Sequence, residues 1–180
     1  MDNSTDNVTL IAAFIQDIIH QYDGKPEFQG RLKKMAQGFD QAEPTQHVPI
    51  KVYNDMCDWI ETQIGEINAK ILGRKIGNTA YQSMLELNMV SPDSTPFEIM
   101  EALKNVAHSV INDPKQRGWE IIDKGNKHIT MRRTQTFNST LQFGLLDELI
   151  RKSKVIAPSV SYQSSVLAGD EFDEYKITWL

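Results

Sequence analysis

The side chains with the most direct chemical potential are four histidines and a single cysteine. They are His20, His47, His108, His128 and Cys57. An imidazole can ligate a metal or move a proton near neutral pH, and a thiolate is a nucleophile and a soft metal ligand. With one cysteine, the chain can form neither an intramolecular disulfide nor a cysteine-rich zinc site. Because Cys57 stands between Met56 and Trp59 in a helical pattern, we expect it to be a small buried hydrophobe.

Motifs that are typical of catalysis are missing. The sequence contains no Gly-x-Ser-x-Gly turn, no phosphate-binding glycine loop and no His-Glu-x-x-His helix. Asp170, Glu171, Asp173 and Glu174 form an acidic cluster that could bind a cation, and a charged turn between two strands explains it more simply. We therefore predict that the protein is not an enzyme and binds no metal through these groups.

Composition narrows the class of protein further. The 180 residues are 40% hydrophobic and 24% charged, which is typical of one globular domain. The net charge is −5 and the basic residues occur in short, separated runs, so we expect no nucleic-acid partner. No apolar stretch approaches the roughly 18 residues of a membrane span, and residues 1–6 do not resemble a signal peptide. We expect a cytoplasmic protein without membrane insertion.

The elements that must position these residues begin with helices. Apolar periodicity predicts a first helix over Asn7–Tyr22, a second from Pro49 to Gly65, and a third over about Ile67–Leu87. Thr95, Pro96 and Glu98 form the start of a fourth helix, with an N-cap, a first-turn proline and a capping-box glutamate.

Two glycines lie inside the third predicted helix. Gly73 and Gly77 are four residues apart, and each costs about 1 kcal/mol relative to alanine in a helix interior. Since they share one side of the helix, we predict that another backbone packs closely against them.

After Gly118 the hydrophobic period changes from that of a helix to that of a strand. A hairpin is predicted over 119–132, a helix over 141–152, and two further strands over 160–164 and 174–179. This order predicts an α+β fold in which N-terminal helices pack on a small antiparallel sheet of about four strands, with one inserted helix. We expect a single domain, with residues 1–48 as a helical N-terminal extension and residues 49–180 as the core.

Three motifs in this order resemble one ligand-binding superfamily. They are Leu72-Gly73-Arg74-Lys75-Ile76-Gly77, Phe143-Gly144-Leu145-Leu146, and Gly169-Asp170-Glu171-Phe172-Asp173-Glu174-Tyr175. Together they are similar to haem-NO-binding (H-NOX) domains, vinyl-reductase-type ligand domains and TRAPP trafficking subunits, and most of all to uncharacterised bacterial members. Some vinyl-reductase-type domains carry zinc-binding cysteines where this chain has Asn138, Ser139 and Asp173, so that site is absent.

The resemblance implies a non-catalytic sensory module that binds a small apolar or amphipathic ligand between its helices and its sheet. The candidate pocket residues are Tyr81, Trp119, Arg132, Phe143 and Tyr162. An apolar space with a few polar anchors is the usual form of such a site. Each of these side chains is equally consistent with a place in the core or on the surface.

A first alternative is a haem-based sensor of NO or O₂, because H-NOX domains hold haem by a helical histidine and a Tyr-x-Ser-x-Arg strand. The matching residues would be His108 on the fourth helix and His128, Thr130 and Arg132 on a strand. At about 100° per residue, however, His108 falls on the solvent side of its helix, about 130° from the centre of the apolar stripe.

A second alternative is a scaffold or dimerisation module, as the TRAPP-like resemblance implies. In that case the partner would be a second copy of the chain or a signalling protein. The sequence identifies neither the ligand nor such a partner.

Overall fold

Alternating buried and polar residues build two antiparallel sheets, and six helices pack around them in the computed structural model, which describes residues 2–180. The helices are α1 (Ala13–His20), α2 (Pro26–Ala36), α3 (Ile50–Ile64), α4 (Glu66–Glu86), α5 (Pro96–Val110) and α6 (Ser139–Lys152). The strands are β1 (Thr9–Ile11), β2 (His47–Pro49), β3 (Ile111–Asn112), β4 (Trp119–Gly125), β5 (His128–Arg133), β6 (Ser159–Ser164) and β7 (Asp173–Thr178). Two short 3₁₀ turns, Phe39–Gln41 and Val166–Ala168, complete the described elements.

The larger sheet has four antiparallel strands in the order β4-β5-β7-β6, with α6 inserted between β5 and β6 in sequence. This confirms the predicted α+β class. Met131 pairs with Tyr175, whose hydroxyl donates a 3.0 Å hydrogen bond to the Ser139 carbonyl of α6. The face that carries Met131 and Tyr175 is therefore the one covered by α6.

A second, three-stranded sheet in the order β2-β1-β3 was missed by the sequence analysis. The predicted first helix is wrong in its first turns, because Thr9–Ile11 is a strand and α1 begins at Ala13. Val8, Ile11 and Ile15 fit a helical period, while Val8 and Leu10 are 2% and 1% exposed and fit an alternating one. Pairing with His47–Pro49 and Ile111–Asn112 decides for the strand.

Local signals predicted the break at Gly65 and the helix start at Thr95 correctly. The backbone at Gly65 has φ +103°, which separates α3 from α4 because side-chain-bearing residues rarely adopt that conformation. At the start of α5, the Thr95 hydroxyl accepts from the Glu98 backbone and the Glu98 carboxylate accepts from the Thr95 backbone at 2.7 Å. The predicted capping box is confirmed.

Helices α4 and α6 approach each other more closely than side chains would permit. A Cβ built on Gly77 would lie 2.8 Å from the Leu145 carbonyl oxygen, and one on Gly73 would lie 3.0 Å from the Gly144 Cα. The predicted close backbone packing at Gly73 and Gly77 is confirmed, and Gly144 is the matching glycine on the other helix.

One continuous apolar core joins the helices to both sheets. Residues from the first 48 contribute to it, among them Leu10, Ile15, Ile18 and Leu32, each 1% exposed or less. None of the helices in the described part of the chain is both long enough and apolar enough to cross a bilayer.

Candidate functional site

A small apolar cavity lies where the two sheets and five of the helices meet. Its volume is about 50 Å³. Its lining residues are Leu10, Phe14, Tyr53, Ile76, Ala80, Ser83, Leu103, Val106, Ala107, Val110, Ile111, Trp119, Phe137, Gln142 and Leu145. No charged side chain is among them, so the site has the character of an apolar pocket with a few polar groups.

Aromatic side chains form one wall of this cavity. The Tyr53 ring lies edge-on to Phe14 at 6.4 Å and to Phe137 at 5.5 Å between centroids. On another side, Trp119 of β4 packs edge-on against Tyr175 of β7 at 5.7 Å. Such edge-to-face contacts fix the ring orientations, so this wall is rigid.

Four of the lining side chains carry polar atoms, namely those of Tyr53, Ser83, Trp119 and Gln142. Burial raises the pKa of the Tyr53 hydroxyl and of the Cys57 thiol well above their ordinary values. Both therefore stay protonated and uncharged at neutral pH. Ser83 is half-buried. Gln142 is 2% exposed, and its side-chain amide bonds to no other residue in the described part of the chain.

Of the five pocket residues predicted from sequence, only Trp119 lines this cavity. Tyr81 is buried elsewhere on α4, where its hydroxyl donates a 3.3 Å hydrogen bond to the Ser91 carbonyl. Arg132 lies on the sheet face opposite to α6, because Arg132 alternates with Met131 along β5.

The structure brings Phe143 and Tyr162 together, outside the cavity. Their ring centroids are 5.4 Å apart, and Tyr162 lies 5.2 Å from Tyr175. The Lys70 ammonium stands over the Phe143 ring at 4.7 Å. These contacts join α4, α6 and the sheet edge, which is a packing arrangement rather than a binding space.

The histidine proposed as a haem ligand lies outside the cavity as well. His108 is exposed, and its ring lies over Gly118, where an added Cβ would be 3.4 Å from the His108 Cε1. It lines a polar cleft of about 270 Å³ together with His47 and Asp113. His47 is also engaged, since its Nδ1 lies 3.0 Å from the Thr9 hydroxyl.

The strand residues named in the haem alternative each contact a polar side chain of the protein itself. The Arg132 guanidinium bonds to the Glu174 carboxylate at 2.8 Å and 3.0 Å. His128 lies 3.0 Å from the Asp123 carboxylate. Thr130 is fully buried beside Gln163 at 3.5 Å, on the same face as Arg132.

Haem therefore does not fit the arrangement of these residues. The cavity of about 50 Å³ is several-fold smaller than the roughly 300–1,000 Å³ of pockets for ligands of drug size. His108 lies outside it, and Arg132 is on the other face of the sheet. Among residues 2–180, no three His, Cys, Asp or Glu side chains cluster as a metal site would require.

A buried ion pair lies beside the start of α6. Arg133 of β5 and Asp173 of β7 are 3% and 0% exposed, and the Ser139 hydroxyl donates to the same carboxylate at 2.6 Å. Burial raises the pKa of Asp173, but hydrogen bonds from Ser139 and Arg133 lower it more, so the pKa lies below its ordinary value.

This pair continues into a wider network. The Arg133 guanidinium donates to the Gln135 carbonyl, and the Gln135 amide donates to the Asp113 carboxylate at 2.8 Å. Arg117 bonds to the same carboxylate at 2.7 Å. Four buried or nearly buried polar groups thus connect β7 to the segment that follows α5, and they hold the loop that carries Phe137 against the cavity.

Gln142 is one of the residues of this site that sequence reasoning missed. In the sequence it is one polar residue within an apolar helix, and helical periodicity alone does not separate it from a surface glutamine. A weak signal existed, since Leu141 and Leu145 flank it on the buried face of the inserted helix.

Comparison with solved structures identifies the fold. The chain superposes on an H-NOX protein from S. oneidensis, a mutant in the Fe(II) state, with a TM-score of 0.69 at 8% identity, covering 95% of this chain and 96% of that one. An Fe(II) unliganded H-NOX mutant from K. algicida gives 0.68 at 10% identity, covering 95% and 97%. The Fe(II)NO form of the S. oneidensis protein gives 0.65 at 10% identity, covering 91% and 98%.

The chain therefore has an H-NOX-like α+β fold. No family model matches the sequence, and no curated protein gives a significant match. At 8–10% identity the similarity concerns the fold. The fold does not specify a ligand, whereas the size and lining of the cavity restrict what can bind.

Proposed function

We propose that this protein is a non-catalytic sensory or regulatory module that binds a small apolar or amphipathic ligand in the cavity between its helices and sheets. The observation that carries the proposal is the apolar cavity of about 50 Å³, lined from every layer of the fold. A ligand there would contact α4, α5 and α6 at once, so its binding would affect the packing of all three helices.

The size of the cavity sets the size of the ligand. An apolar cavity of roughly 150 Å³ admits benzene or xenon and stays dry when empty. A volume about one third of that suits a molecule of a few heavy atoms, or the small end of a longer one. Five of the lining residues are half-buried, namely Phe14, Ser83, Val110, Ile111 and Phe137. A ligand would enter where these residues approach the surface.

Compatible with this proposal is the H-NOX-like fold, whose solved members include Fe(II) and Fe(II)NO forms. The present site differs in holding no histidine and no room for a macrocycle. We infer that the ligand binds to protein side chains and not to the iron of a bound haem.

The test is xenon binding followed by NMR of methyl-labelled protein under xenon pressure. Methyl resonances of Ile76, Ala80 and Leu103 should shift in a saturable way, while those of exposed Ile156 and Leu167 should not. Native mass spectrometry of freshly purified protein, beside its denatured mass, would show whether a ligand is already present.

A filled cavity supplies the control. Ala80→Met places a larger side chain in the cavity wall, so the xenon shifts should disappear. Ala168→Met, at an exposed position in the turn Val166–Ala168, should leave them unchanged. Absence of saturable shifts in the unmodified protein would refute the proposal.

A further inference from the structure

A buried carboxamide at the cavity, that of Gln142, lacks a hydrogen-bonding partner among the described residues. Gln142 is 2% exposed, yet its carboxamide bonds to no other residue between positions 2 and 180. Its amide nitrogen and oxygen are not among the fully enclosed unpartnered atoms, so both keep a small accessible surface. Since Gln142 lines the cavity, we infer that this surface faces it.

Such a group is costly to leave unpaired. A carboxamide carries two donors and an acceptor oxygen, and buried polar groups in folded proteins are nearly always hydrogen-bonded. The Gln142 backbone N–H donates to the Asn138 carbonyl at 3.1 Å, so the group left without a partner is the side-chain amide. The amide is therefore placed to bond to whatever occupies the cavity.

The other polar groups at the cavity can form fewer hydrogen bonds than the Gln142 carboxamide. Tyr53 and Ser83 each carry a single hydroxyl, and Ser83 is half-buried. The Trp119 indole offers one N–H donor, whereas the Gln142 carboxamide offers two donors and an acceptor. Gln142 is thus the group with the greatest capacity to orient a ligand within the apolar walls. Because no charged side chain lines the cavity, a charged ligand would be buried without compensation.

We propose that Gln142 is the polar anchor of the site and that the ligand is a small, neutral, amphipathic molecule with one hydrogen-bonding end. Its apolar part would contact Ile76, Leu103 and Trp119, and its hydroxyl, carbonyl or amide group would meet the Gln142 carboxamide. This inference rests on the proposed ligand-binding function and names the chemistry of its ligand.

The test compares two kinds of probe on the full-length protein by NMR. Xenon is wholly apolar, whereas methanol, ethanol and 1-propanol carry one hydroxyl on a short apolar chain. In the unmodified protein the alcohols should shift the Gln142 side-chain amide resonances together with the methyl resonances of Ile76 and Leu103. Xenon should shift the methyl resonances with a smaller effect on the amide.

The informative variant is Gln142→Met, which keeps the length of the side chain and removes the amide. One lost hydrogen bond weakens binding by up to about tenfold, so alcohol affinity should fall by roughly fivefold to tenfold. Xenon affinity should stay the same or increase. Gln82→Met, at an exposed position on α4, serves as the matched control and should change neither.

The outcomes separate the two proposals. If neither xenon nor an alcohol binds, the ligand-binding function itself fails. If xenon binds and the alcohols bind equally well to the unmodified protein and to Gln142→Met, the cavity is a site but Gln142 is not its anchor. If xenon binds and no alcohol does, Gln142 is satisfied by water alone and the inference is overturned.

Discussion

Gly73 of α4 and Gly144 of α6 lie directly against each other, so that a Cβ built on Gly73 would stand 3.0 Å from the Gly144 Cα and still closer to the Leu141 carbonyl oxygen. The converse also holds, since a Cβ on Gly144 would overlap the Lys70 carbonyl. This contact sets the distance between two helices that both line the cavity, through Ile76 on α4 and Gln142 on α6.

Gly73→Ala should therefore destabilise the protein. The new methyl group meets backbone atoms, which cannot rotate away, and overpacking of this kind costs about 1–3 kcal/mol. Urea denaturation would measure the change in unfolding free energy. Gly30→Ala is the matched control, because Gly30 is an exposed residue of α2 with nothing within 4 Å of its added Cβ.

In contrast, Gly30→Ala should stabilise the protein by about 0.5–1 kcal/mol, as expected for glycine replaced within a helix. Equal effects of the two substitutions would contradict the proposed contact between α4 and α6.

The buried pair Arg133–Asp173 should show strong coupling. Arg133→Met leaves the Asp173 carboxylate buried without its partner, and loss of one member of a buried pair costs about 3–5 kcal/mol. The double variant Arg133→Met/Asp173→Leu removes both charges and should lose less than Arg133→Met alone. Unfolding free energies of the two single variants and the double variant would give the coupling, and additive losses would argue against the pair.

Protonation of Asp173 should contribute to the loss of stability in acid. Its pKa is lowered in the folded protein, so its contribution is present above the unfolded pKa of about 3.9 and disappears as the pH falls through the folded value. The difference in unfolding free energy between the unmodified protein and Asp173→Asn should narrow as the pH is lowered from about 5. Asp93→Asn, at an exposed position, serves as a surface control for the loss of a carboxylate.

Haem addition should produce no Soret band that depends on His108. The reason is geometric, since His108 is exposed beside Gly118 and does not line the cavity. Absorption spectra of the unmodified protein, His108→Ala and His20→Ala, each titrated with haem, would be compared. Stoichiometric uptake that is lost in His108→Ala and kept in His20→Ala would restore the haem alternative.

Much of the fold could be predicted from local features of the sequence. The capping box at Thr95 and Glu98, the helix break at Gly65 and the alternating strand through Tyr175 were readable because each depends on residues close in the chain. Gly73 and Gly77 also predicted a close contact between helices, because nothing local explains the loss of stability that glycine causes inside a helix.

Tertiary structure decided the rest. The strand Thr9–Ile11 exists because His47–Pro49 and Ile111–Asn112 pair with it, and its own pattern fits a helix equally well. The same limit applies to the site: Phe143, Tyr162 and Trp119 are alike as apolar aromatics, but only packing puts Trp119 at the cavity. Gln142 became a candidate anchor only when six helices and two sheets enclosed it without a partner, because burial is a property of the assembled fold.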